Sequence, residues 1–440
     1  MKDLYYDAVV IGGGAAGMAA ALEIERGGHG VAIVEREDFL GGILMQCIHA
    51  GFGLKVFKEE LTGPEFAERF IEAVLQSSIA VYLGTTVTKL VPWTATNGGG
   101  DLGREQEKGV STSPFPRWEL FCVSPEVGVF RILTRAVVLA MGCRERNRGN
   151  IRIPGSRPAG IYTAGLAQRL VNIEGYIPGR NIVIIGSGDI GLIMARRMSW
   201  IGCTVQAVVE IMPYPSGLTR NIVQCLDDFG IPLYLSSQVT NIFGNHRVEG
   251  VEVTPMERGV LIREKAFRLS CDTVLLSVGL VPENELSRTA GVELHPSTGG
   301  PVVDSRLMTN LPGIFACGNV LHVHDLVDWV TEEASFCGKQ VTQWLAGKMV
   351  LRQVPCRAGA NVRSVTPNKL NVEEDNPLYL RSMIVANETD LEIRLDNRVI
   401  KRIQKSHVQP SEMITLSLGK KELEGVREDS VVELALLPHQ

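Results

Sequence analysis

The apolar positions of this chain follow the same order twice. Residues 8–11 form a short apolar run, a glycine-rich turn follows, and small and apolar residues continue at helical spacing before a second apolar run at 31–34. The order returns at residues 182–185, with a turn, a helical stretch and another apolar run at 204–209. Continuous apolar runs this short, set between turns, are typical of strands buried in a parallel sheet. The pattern therefore predicts two α/β domains of alternating strands and helices.

The first turn carries the spacing of a phosphate-binding loop. Gly12 allows the tight turn, Gly14 lets the backbone approach a pyrophosphate, and Gly17 lets the helix pack close to the strand. The helix that follows presents free N–H groups and a partial positive charge to the phosphates. Glu35 ends the next strand at the usual spacing of about 20 residues, where a carboxylate accepts hydrogen bonds from ribose hydroxyls.

The second turn repeats these features with Gly186, Gly188, Gly191 and the terminal acid Glu210. Two complete fingerprints predict two bound dinucleotides. The residues directly after Glu210 are apolar, and no arginine stands there to meet a 2′-phosphate. The second site is therefore expected to prefer NAD(H) over NADP(H).

Two other regions lack this pattern. Residues 85–90 and 118–133 predict a β-meander arm. The composition of the polar segment from Asn97 onward predicts a mobile loop with no catalytic role. Beyond Gln353, short alternating strands predict a small β-rich domain over 355–440. The strands are expected at 382–385, 390–395, 413–418 and 431–437.

Composition narrows the function classes. A length of 440 residues suits two or three domains. A net charge of -5 does not indicate a nucleic-acid-binding surface. The 9 cysteines contain no C-x2-C or C-x4-C pair, so neither a disulfide scaffold nor a zinc or iron-sulfur cradle is expected. With no signal peptide and no apolar run of about 18 residues, we expect a cytoplasmic protein without an integral membrane segment.

Three further segments give the order of the two nucleotides. Residues 137–142 and 272–279 each end an apolar strand in glycine, and residues 309–319 read TNLPGIFACGN. These segments resemble the crossover and second flavin motifs of the two-dinucleotide flavoproteins that include the pyridine nucleotide-disulfide reductases. The resemblance implies FAD in the first site and NAD(H) in the second.

The implied fold class is α/β, with two Rossmann-like domains and a small C-terminal β-rich domain. The FAD domain is split, over 1–154 and 285–350, by an NAD(H) domain at 155–284. The resemblance implies FAD contacts at Gly12, Gly14, Ala15, Ala16, Gly17, Glu35, Arg36, Gly41, Gly42, Gln46, Val87, Gly142, Gly318, Asn319 and Thr331. It implies NAD contacts at Gly186, Gly188, Ile190, Gly191, Glu210 and Gly279.

Two positions depart from or extend the family pattern. Asn319 stands where the family usually has aspartate, which keeps a hydrogen bond to the ribityl chain but removes a negative charge near the pyrophosphate. A helix beginning at Thr331 would direct its N-terminus at the flavin ring, where its dipole stabilises reduced flavin.

The redox dithiol of the disulfide reductases is missing, and the segment in its place contains Cys47 and His49. These two are the candidate catalytic residues. Cys47 could cycle as a redox thiol whose pKa is lowered by His49, or it could simply line the flavin pocket. His49 could act as an acid or base.

A cluster of His322, His324, Asp325 and Asp328 follows the second flavin motif. These side chains could form a polar gate, a metal site or the solvated start of a helix. The solvated start is preferred, so no metal is expected.

Residues 41–69, the segment from His322 onward and the β-rich tail resemble one branch of the family. That branch comprises FAD/NAD-binding partners of FAD-dependent glycerol-3-phosphate dehydrogenases, and the likeness is closer than that to amino-acid and opine oxidase subunits. It implies a hetero-oligomer that works as a glycerol-3-phosphate:NAD oxidoreductase, with a dehydrogenase-like partner and a small iron-sulfur or cysteine-containing partner.

The expected chemistry is hydride exchange between nicotinamide and flavin, which needs alignment of two rings and no protein acid or base. Two alternatives remain open. One is a self-sufficient NADH oxidase or peroxidase that uses Cys47. The other is a flavin-binding structural subunit with an unused NAD site.

Overall fold

A computed structural model describes residues 2–94, 117–348, 352–427 and 429–439. The chain divides into two compact units, one of residues 1–143 with 282–440 and one of residues 144–281. The polar loop expected from Asn97 onward lies outside the described residues.

The first unit is organised around a seven-stranded sheet. Its strands, in spatial order, are Ala80–Tyr82, Val31–Val34, Lys2–Ile11, Gly128–Leu139, Trp118–Ser124 and Thr86–Pro92, with Ile314–Ala316 also paired to Gly128–Leu139. Helices Ala15–Arg26, Gly63–Leu75, Glu285–Ala290 and Val327–Leu345 accompany it, with short 3-10 turns at Gly42–Gln46 and Gly318–Val320. A short strand pair, Ala50–Phe52 with Leu61–Thr62, precedes the second helix.

The register of this sheet places the candidate residues at one edge. Ile11 lies beside both Val34 and Leu139, and Leu139 lies beside Ala316. These strands are parallel, so the residues that follow their carboxyl ends emerge together. The first glycine turn, Glu35 and the Gly318 turn therefore lie at the same edge.

The β-meander arm is present in the first unit as three antiparallel strands. Its last strand, Gly128–Leu139, pairs in parallel with Lys2–Ile11 on its other side, and its residues 136–139 extend beyond the arm. One strand thus serves both the arm and the nucleotide-binding edge.

The C-terminal β-rich region belongs to the first unit. A five-stranded sheet has the order Lys369–Asn371, Gln353–Ala358, Val432–Pro438, Ala386–Leu395 and Arg398–Val408, and a three-stranded sheet consists of Val362–Thr366, Asn376–Ser382 and Met413–Leu418. The short 3-10 turn Lys420–Leu423 follows. The strand expected at 382–385 is wrong, because residues 383–385 form the turn between two strands.

The second unit has its own parallel sheet, with strands in the order Ile161–Thr163, Thr273–Leu276, Asn181–Ile185, Thr204–Val209 and Leu233–Tyr234. An antiparallel group of Ser237–Phe243, Gly250–Glu257, Val260–Leu261 and Phe267–Leu269 follows. The helices are Arg148–Ile151, Ala164–Asn172, Asp189–Trp200 and Thr219–Cys225, with 3-10 turns at Asp227–Phe229 and Arg263–Lys265. Short strands Cys143–Glu145 and Leu280–Pro282 lie where the chain passes between the units.

The predicted fold class is confirmed. Each unit contains the strand, glycine turn, helix and strand that the apolar pattern indicates. The buried runs are fully apolar, as at Ala8, Val9 and Val10, which have no exposed surface. Burial on both sheet faces explains why these strands appear as continuous rather than alternating apolar runs.

Candidate dinucleotide sites

The first glycine turn is shaped by contacts that only glycine permits. Gly12 has a φ of 109°, and a Cβ there would lie 2.4 Å from the carbonyl oxygen of Ala140. A Cβ on Gly17 would lie 1.8 Å from the carbonyl oxygen of Gly12. At Gly14 a Cβ would meet no atom within 4 Å, and no side chain caps the helix that begins after it. The helix N-terminus is therefore left open on the side where a pyrophosphate would bind.

Glu35 connects the second strand to this turn. It is almost completely buried, and its carboxylate accepts hydrogen bonds from the backbone N–H groups of Gly13 at 2.5 Å and Glu37 at 2.8 Å. These bonds hold the acid beside the turn. Arg36, in contrast, has a mostly exposed side chain whose guanidinium lies 4.0 Å from the Glu283 carboxylate.

The segment that replaces the dithiol passes directly against the turn. Gly41 donates a backbone hydrogen bond to the Gly13 carbonyl at 2.9 Å, and a Cβ on Gly42 would lie 3.3 Å from the Gly14 Cα. Both glycines have positive φ, at 101° and 55°. Gln46 is buried at the end of the following 3-10 turn. Gly41 and Gly42 therefore bring the backbone against Gly13 and Gly14, beside the open end of the fingerprint helix.

Cys47 is a partly buried residue in this segment. Its thiol donates to the carbonyl of Ile43 at 3.3 Å, and burial raises the pKa of the Cys47 thiol to about 12. His49 Nδ1 lies 3.1 Å from the Ala50 carbonyl oxygen, and its ring packs on Phe52. The cause of this raised pKa is the removal of the thiol from water, so the role of His49 in lowering the pKa of Cys47 stays a hypothesis.

The second flavin motif also lies close to the fingerprint helix. Gly318 has a φ of 71°, and a Cβ there would lie 2.8 Å from the Cβ of Ala16. Asn319 accepts a hydrogen bond from the backbone N–H of His324 at 3.0 Å, so its side chain organises its own loop. Gly142 has a φ of 70° and open space around it, and Val87 lies on the arm, paired with Cys122.

The helix expected to start at Thr331 begins earlier, at Val327. Thr331 is buried in its second turn, where its hydroxyl donates to the Asp328 carbonyl at 3.0 Å. Asp328 lies in the first turn of this earlier start. Its carboxylate accepts hydrogen bonds from the backbone N–H groups of Gly53, Lys55 and Val56 at 3.1, 2.9 and 2.9 Å. The sequence does not reveal this tether, since its partners are backbone groups far away in the chain.

The second fingerprint has the same construction. A Cβ on Gly186, whose φ is 89°, would lie 2.1 Å from the Ser277 carbonyl oxygen, and a Cβ on Gly191 would lie 2.6 Å from the Ser277 Cβ. The helix after Gly188 again lacks a side-chain cap, and Ile190 lies in its first turn. Gly279 has a φ of 98° after the strand Thr273–Leu276.

Glu210 is the counterpart of Glu35, but it accepts hydrogen bonds from more donors. It accepts from the backbone N–H of Ser187 at 2.9 Å and from the hydroxyls of Ser187 and Ser216 at 2.6 and 2.9 Å. The N–H of Met212 donates to its other oxygen at 2.9 Å. Four donors fix a buried carboxylate beside the turn. The residues of both turns thus fit the adenosine and pyrophosphate parts of a dinucleotide.

The histidine cluster differs from its preferred interpretation. His322 and His324 are buried, and so is Glu333, which is only 1% exposed. A solvated helix start is therefore wrong. Glu333 accepts a hydrogen bond from the Gly318 N–H at 2.7 Å and lies 2.5 Å from His322 Nε2 and 3.2 Å from His324 Nε2. Burial alone would raise the pKa of Glu333, but the two histidines lower it well below its usual range.

Asp325, also in this loop, faces the β-rich region. Its carboxylate pairs with the Arg381 guanidinium and accepts from the Met413 N–H at 2.5 Å, while burial raises its pKa. Sequence analysis missed Glu333 and Arg381. Glu333 stands in an ordinary helical Glu-Glu pair, which carries no signal that one of the two acids is buried.

All nine cysteines lie in the described parts of the chain and none forms a disulfide. The structure does bring two of them together, because the neighbouring Cys337 thiol, together with burial, raises the pKa of Cys317. Both residues have no exposed surface. An external disulfide cannot reach them in this conformation, so they do not replace the missing surface dithiol. Among the described residues, no helix is long and apolar enough to cross a membrane.

Comparison with known proteins agrees with this geometry. The family model of the pyridine nucleotide-disulphide oxidoreductases matches residues 6–335. An opine oxidase subunit of Agrobacterium tumefaciens is 25% identical over 333 residues, covering 72% of this chain and 61% of that protein. An alkyl hydroperoxide reductase subunit of Pseudomonas aeruginosa is 27% identical, covering 72% and 54%. The chain therefore spans little more than half the length of these relatives.

Solved structures show the same fold. Thioredoxin reductase of T. acidophilum superposes with a TM-score of 0.58 at 23% identity, covering 78% of this chain and 98% of that chain. Thioredoxin reductase of Lactococcus lactis gives a TM-score of 0.60 at 18% identity, covering 78% and 100%. The shared part is about as long as a whole thioredoxin reductase.

Proposed function

This chain belongs to the pyridine nucleotide-disulphide oxidoreductase family, and we propose that it exchanges a hydride between NAD(H) and FAD as the NAD-reactive subunit of a glycerol-3-phosphate:NAD oxidoreductase complex. The family consists of FAD- and NAD(P)H-dependent oxidoreductases. The order of the nucleotides, the preference for NAD(H), the partner and the substrate are the proposed parts.

The observation that carries the proposal is the presence of two complete nucleotide-binding turns. In each turn a glycine of positive φ, Gly12 or Gly186, contacts a carbonyl oxygen too closely for any side chain. In each turn a buried acid, Glu35 or Glu210, accepts a backbone N–H of the turn itself. A vestigial site would not need both features in both units, which argues against an unused NAD site.

The bound cofactors supply the redox chemistry, namely hydride exchange between nicotinamide and flavin. The residues of this chain have to bind and orient them. Glu35 and Glu210 would hold ribose hydroxyls, and the open helix ends after Gly14 and Gly188 would bind the phosphates. Positioning of this kind explains how the protein can work without an acid or base beside the rings.

The alternative that makes Cys47 a redox thiol has less support. A reactive cysteine needs a thiolate near neutral pH, and burial raises the pKa of Cys47 to about 12. Its thiol already donates to the Ile43 carbonyl. These contacts favour Cys47 as a lining residue of the proposed flavin pocket over a peroxidase role.

Two observations support a role within a larger enzyme. Relatives of this chain are named as parts of such enzymes, including the opine oxidase subunit of Agrobacterium tumefaciens and the glutamate synthase small chain of Mycobacterium tuberculosis, which is 25% identical over 374 residues. Large apolar side chains in the segment after Gly42 are exposed, Ile43 at 60% and Leu54 at 53%. An exposed apolar segment beside a redox centre suits contact with a protein partner.

The proposed partner is a cytoplasmic FAD-dependent glycerol-3-phosphate dehydrogenase, with a small iron-sulfur or cysteine-containing protein as a further member of the complex. The substrate rests on the resemblance of residues 41–69 and of the segment from His322 onward. The partner would oxidise the substrate, and electrons would pass through this chain to NAD+.

The first experiment is anaerobic reduction of the purified yellow protein with stoichiometric NADH, followed by absorption of the flavin. Bleaching is expected in the wild type and loss of bleaching in Gly186→Ala, with flavin retained, because the new Cβ would strike the Ser277 carbonyl. A wild-type flavin that stays oxidised would overturn the NAD site. A second experiment adds the dehydrogenase partner and follows glycerol-3-phosphate-dependent NAD+ reduction, whose absence would overturn only the complex.

A further inference from the structure

We propose that His322, His324 and Glu333 bind a divalent transition-metal ion of the kind that takes imidazole and carboxylate ligands, such as Zn2+. One ligand atom from each residue lies within 4.8 Å of the others. Two imidazoles and one carboxylate form a donor set that suits zinc and its neighbours in the first transition row. The site is independent of the proposed glycerol-3-phosphate activity.

His324 gives the second observation that points to a ligand. Its side chain has no exposed surface, and neither ring nitrogen makes a hydrogen bond within the described residues. Nε2 lies 3.2 Å from a Glu333 oxygen, but the alignment is not that of a hydrogen bond. A buried imidazole with both nitrogens unsatisfied is costly, and a metal ion at the cluster would satisfy one of them.

The charge of the cluster also favours a cation. Glu333 is a fully buried carboxylate, and its two oxygens face His322 and His324. The guanidinium of Arg381 lies in the same region but already pairs with Asp325. Hydrogen bonds do not neutralise the negative charge of the buried Glu333 carboxylate. A divalent ion between the three side chains would compensate that charge.

The surroundings hold the three donors in place. The Gly318 N–H donates to Glu333 at 2.7 Å, and the Tyr379 ring lies 5.4 Å from the His322 ring and 5.6 Å from the His324 ring. Arg381 donates to the Val323 carbonyl at 2.8 Å and so fixes the loop between the histidines. Outer contacts of this kind orient metal ligands.

A structural consequence follows for the proposed flavin site. Glu333 is bonded to the same Gly318 whose positive φ allows the close approach to Ala16. An ion bound to Glu333 would therefore stabilise the turn of the second flavin motif through the hydrogen bond between Glu333 and Gly318. This part of the inference rests on the proposed position of FAD, whereas the metal site does not.

The test uses the full-length flavoprotein, measured as purified, after treatment with a chelator, and after addition of one equivalent of Zn2+ or Co2+. We expect about one retained metal ion per chain by mass spectrometry of the metal content, a higher midpoint of thermal unfolding, and Co2+ absorption bands at wavelengths beyond those of the flavin. Glu333→Gln and His324→Gln should each lower the metal affinity at least ~10-fold. His246→Gln, at an exposed histidine of the other unit, should bind as the wild type does.

Three results would overturn the proposal. The first is wild-type protein that retains neither ion and unfolds at the same temperature with or without them. The second is equal retention in Glu333→Gln, His324→Gln and the wild type. If the variants fail to fold, X-ray absorption of the zinc-loaded wild type decides, because a first shell containing sulfur would place the ion on cysteines instead.

Discussion

Asp328 accepts a hydrogen bond from the backbone N–H of Gly53 at 3.1 Å, between residues 275 positions apart in the chain. The same carboxylate also accepts from the N–H groups of Lys55 and Val56. Asp328 lies in the first turn of the helix Val327–Leu345, where a negative charge is favourable. The residues that follow the segment in place of a redox dithiol are thus tied to the helix that follows the second flavin motif.

Replacing Asp328 with asparagine should release this segment. The amide has one acceptor oxygen in place of two and would leave at least one of the three backbone donors, of which that of Gly53 is buried, without its partner, so we expect a loss of about 1–3 kcal/mol in the free energy of unfolding. Chemical denaturation measures it, and limited proteolysis near residue 54 should become faster.

The matched control is Glu332→Gln, since Glu332 is exposed and forms an ion pair with Lys55 at the surface. It should change stability by less than about 1 kcal/mol. Equal effects of the two substitutions would show that the Asp328 tether contributes no more than a surface ion pair.

Gly14→Ala should separate folding from cofactor binding. The new Cβ would meet no protein atom within 4 Å, and the φ of Gly14 is −78°, so the fold should tolerate alanine. The methyl group would instead occupy the side on which the backbone approaches a pyrophosphate. We expect FAD affinity to fall at least ~10-fold while the thermal midpoint of the flavin-free protein stays unchanged.

The comparison for this prediction is Gly12→Ala, whose Cβ would lie 2.4 Å from the Ala140 carbonyl oxygen. That variant should lose stability and FAD together. A Gly14→Ala protein that keeps normal FAD affinity by fluorescence titration would be inconsistent with a pyrophosphate at this turn.

Glu210→Gln should weaken the discrimination between NADH and NADPH. The carboxylate favours ribose hydroxyls and repels a 2′-phosphate, and glutamine removes that repulsion while disturbing four donated hydrogen bonds. The ratio of kcat/KM for NADH over NADPH, measured by flavin reduction, should drop about 10-fold or more, which corresponds to about 1.4 kcal/mol. An unchanged ratio would mean that another residue sets the preference.

Cys47 should resist alkylation near neutral pH. Because burial raises its pKa to about 12, the thiol is protonated over the physiological range, and the thiolate forms only as the pH approaches that value. The rate of iodoacetamide modification of native protein, followed by mass spectrometry, should be low at pH 7 and should still be rising above pH 9.

Cys47→Ser provides the functional side of this prediction. Peroxide-dependent NADH oxidation should be the same in the variant and the wild type, because the thiolate and not the protonated thiol attacks peroxide. Rapid labelling at pH 7 together with loss of peroxide turnover in Cys47→Ser would restore the peroxidase alternative.

The nucleotide-binding turns could be predicted because their determinants are local. Gly12, Gly17 and Glu35 act through spacing along one strand, turn and helix, and the same holds for Gly186 and Glu210. In the structure Gly12 and Gly186 have positive φ and Gly17 lies close against Gly12, whereas the contacts of these residues with nucleotides stay predictions. The absence of the dithiol could be predicted for the same reason, since paired cysteines of that kind are close together in the chain.

The start of the last helix and the burial of the histidines could not be predicted in this way. Asp328, in the first turn of its helix, accepts hydrogen bonds from backbone groups of Gly53, Lys55 and Val56. His322 and His324 lie against Tyr379 from the β-rich region. From sequence alone, the cluster resembled a polar helix start facing water. Glu333 gave no signal because nothing near it in the chain indicates that it faces two imidazoles.

The sequence by itself determined the two α/β units, the positions of their phosphate turns and the acids that end their second strands. These features depend on backbone sterics and on spacing within about 25 residues, which a strand–turn–helix unit always brings together. Only the tertiary structure decided the environment of the Cys47 thiol, the tether from Asp328 and the His322–His324–Glu333 cluster. Burial, solvation and the approach of polar groups depend on residues distant in the chain, and the packing of the β-rich region against the second flavin motif brings them into contact.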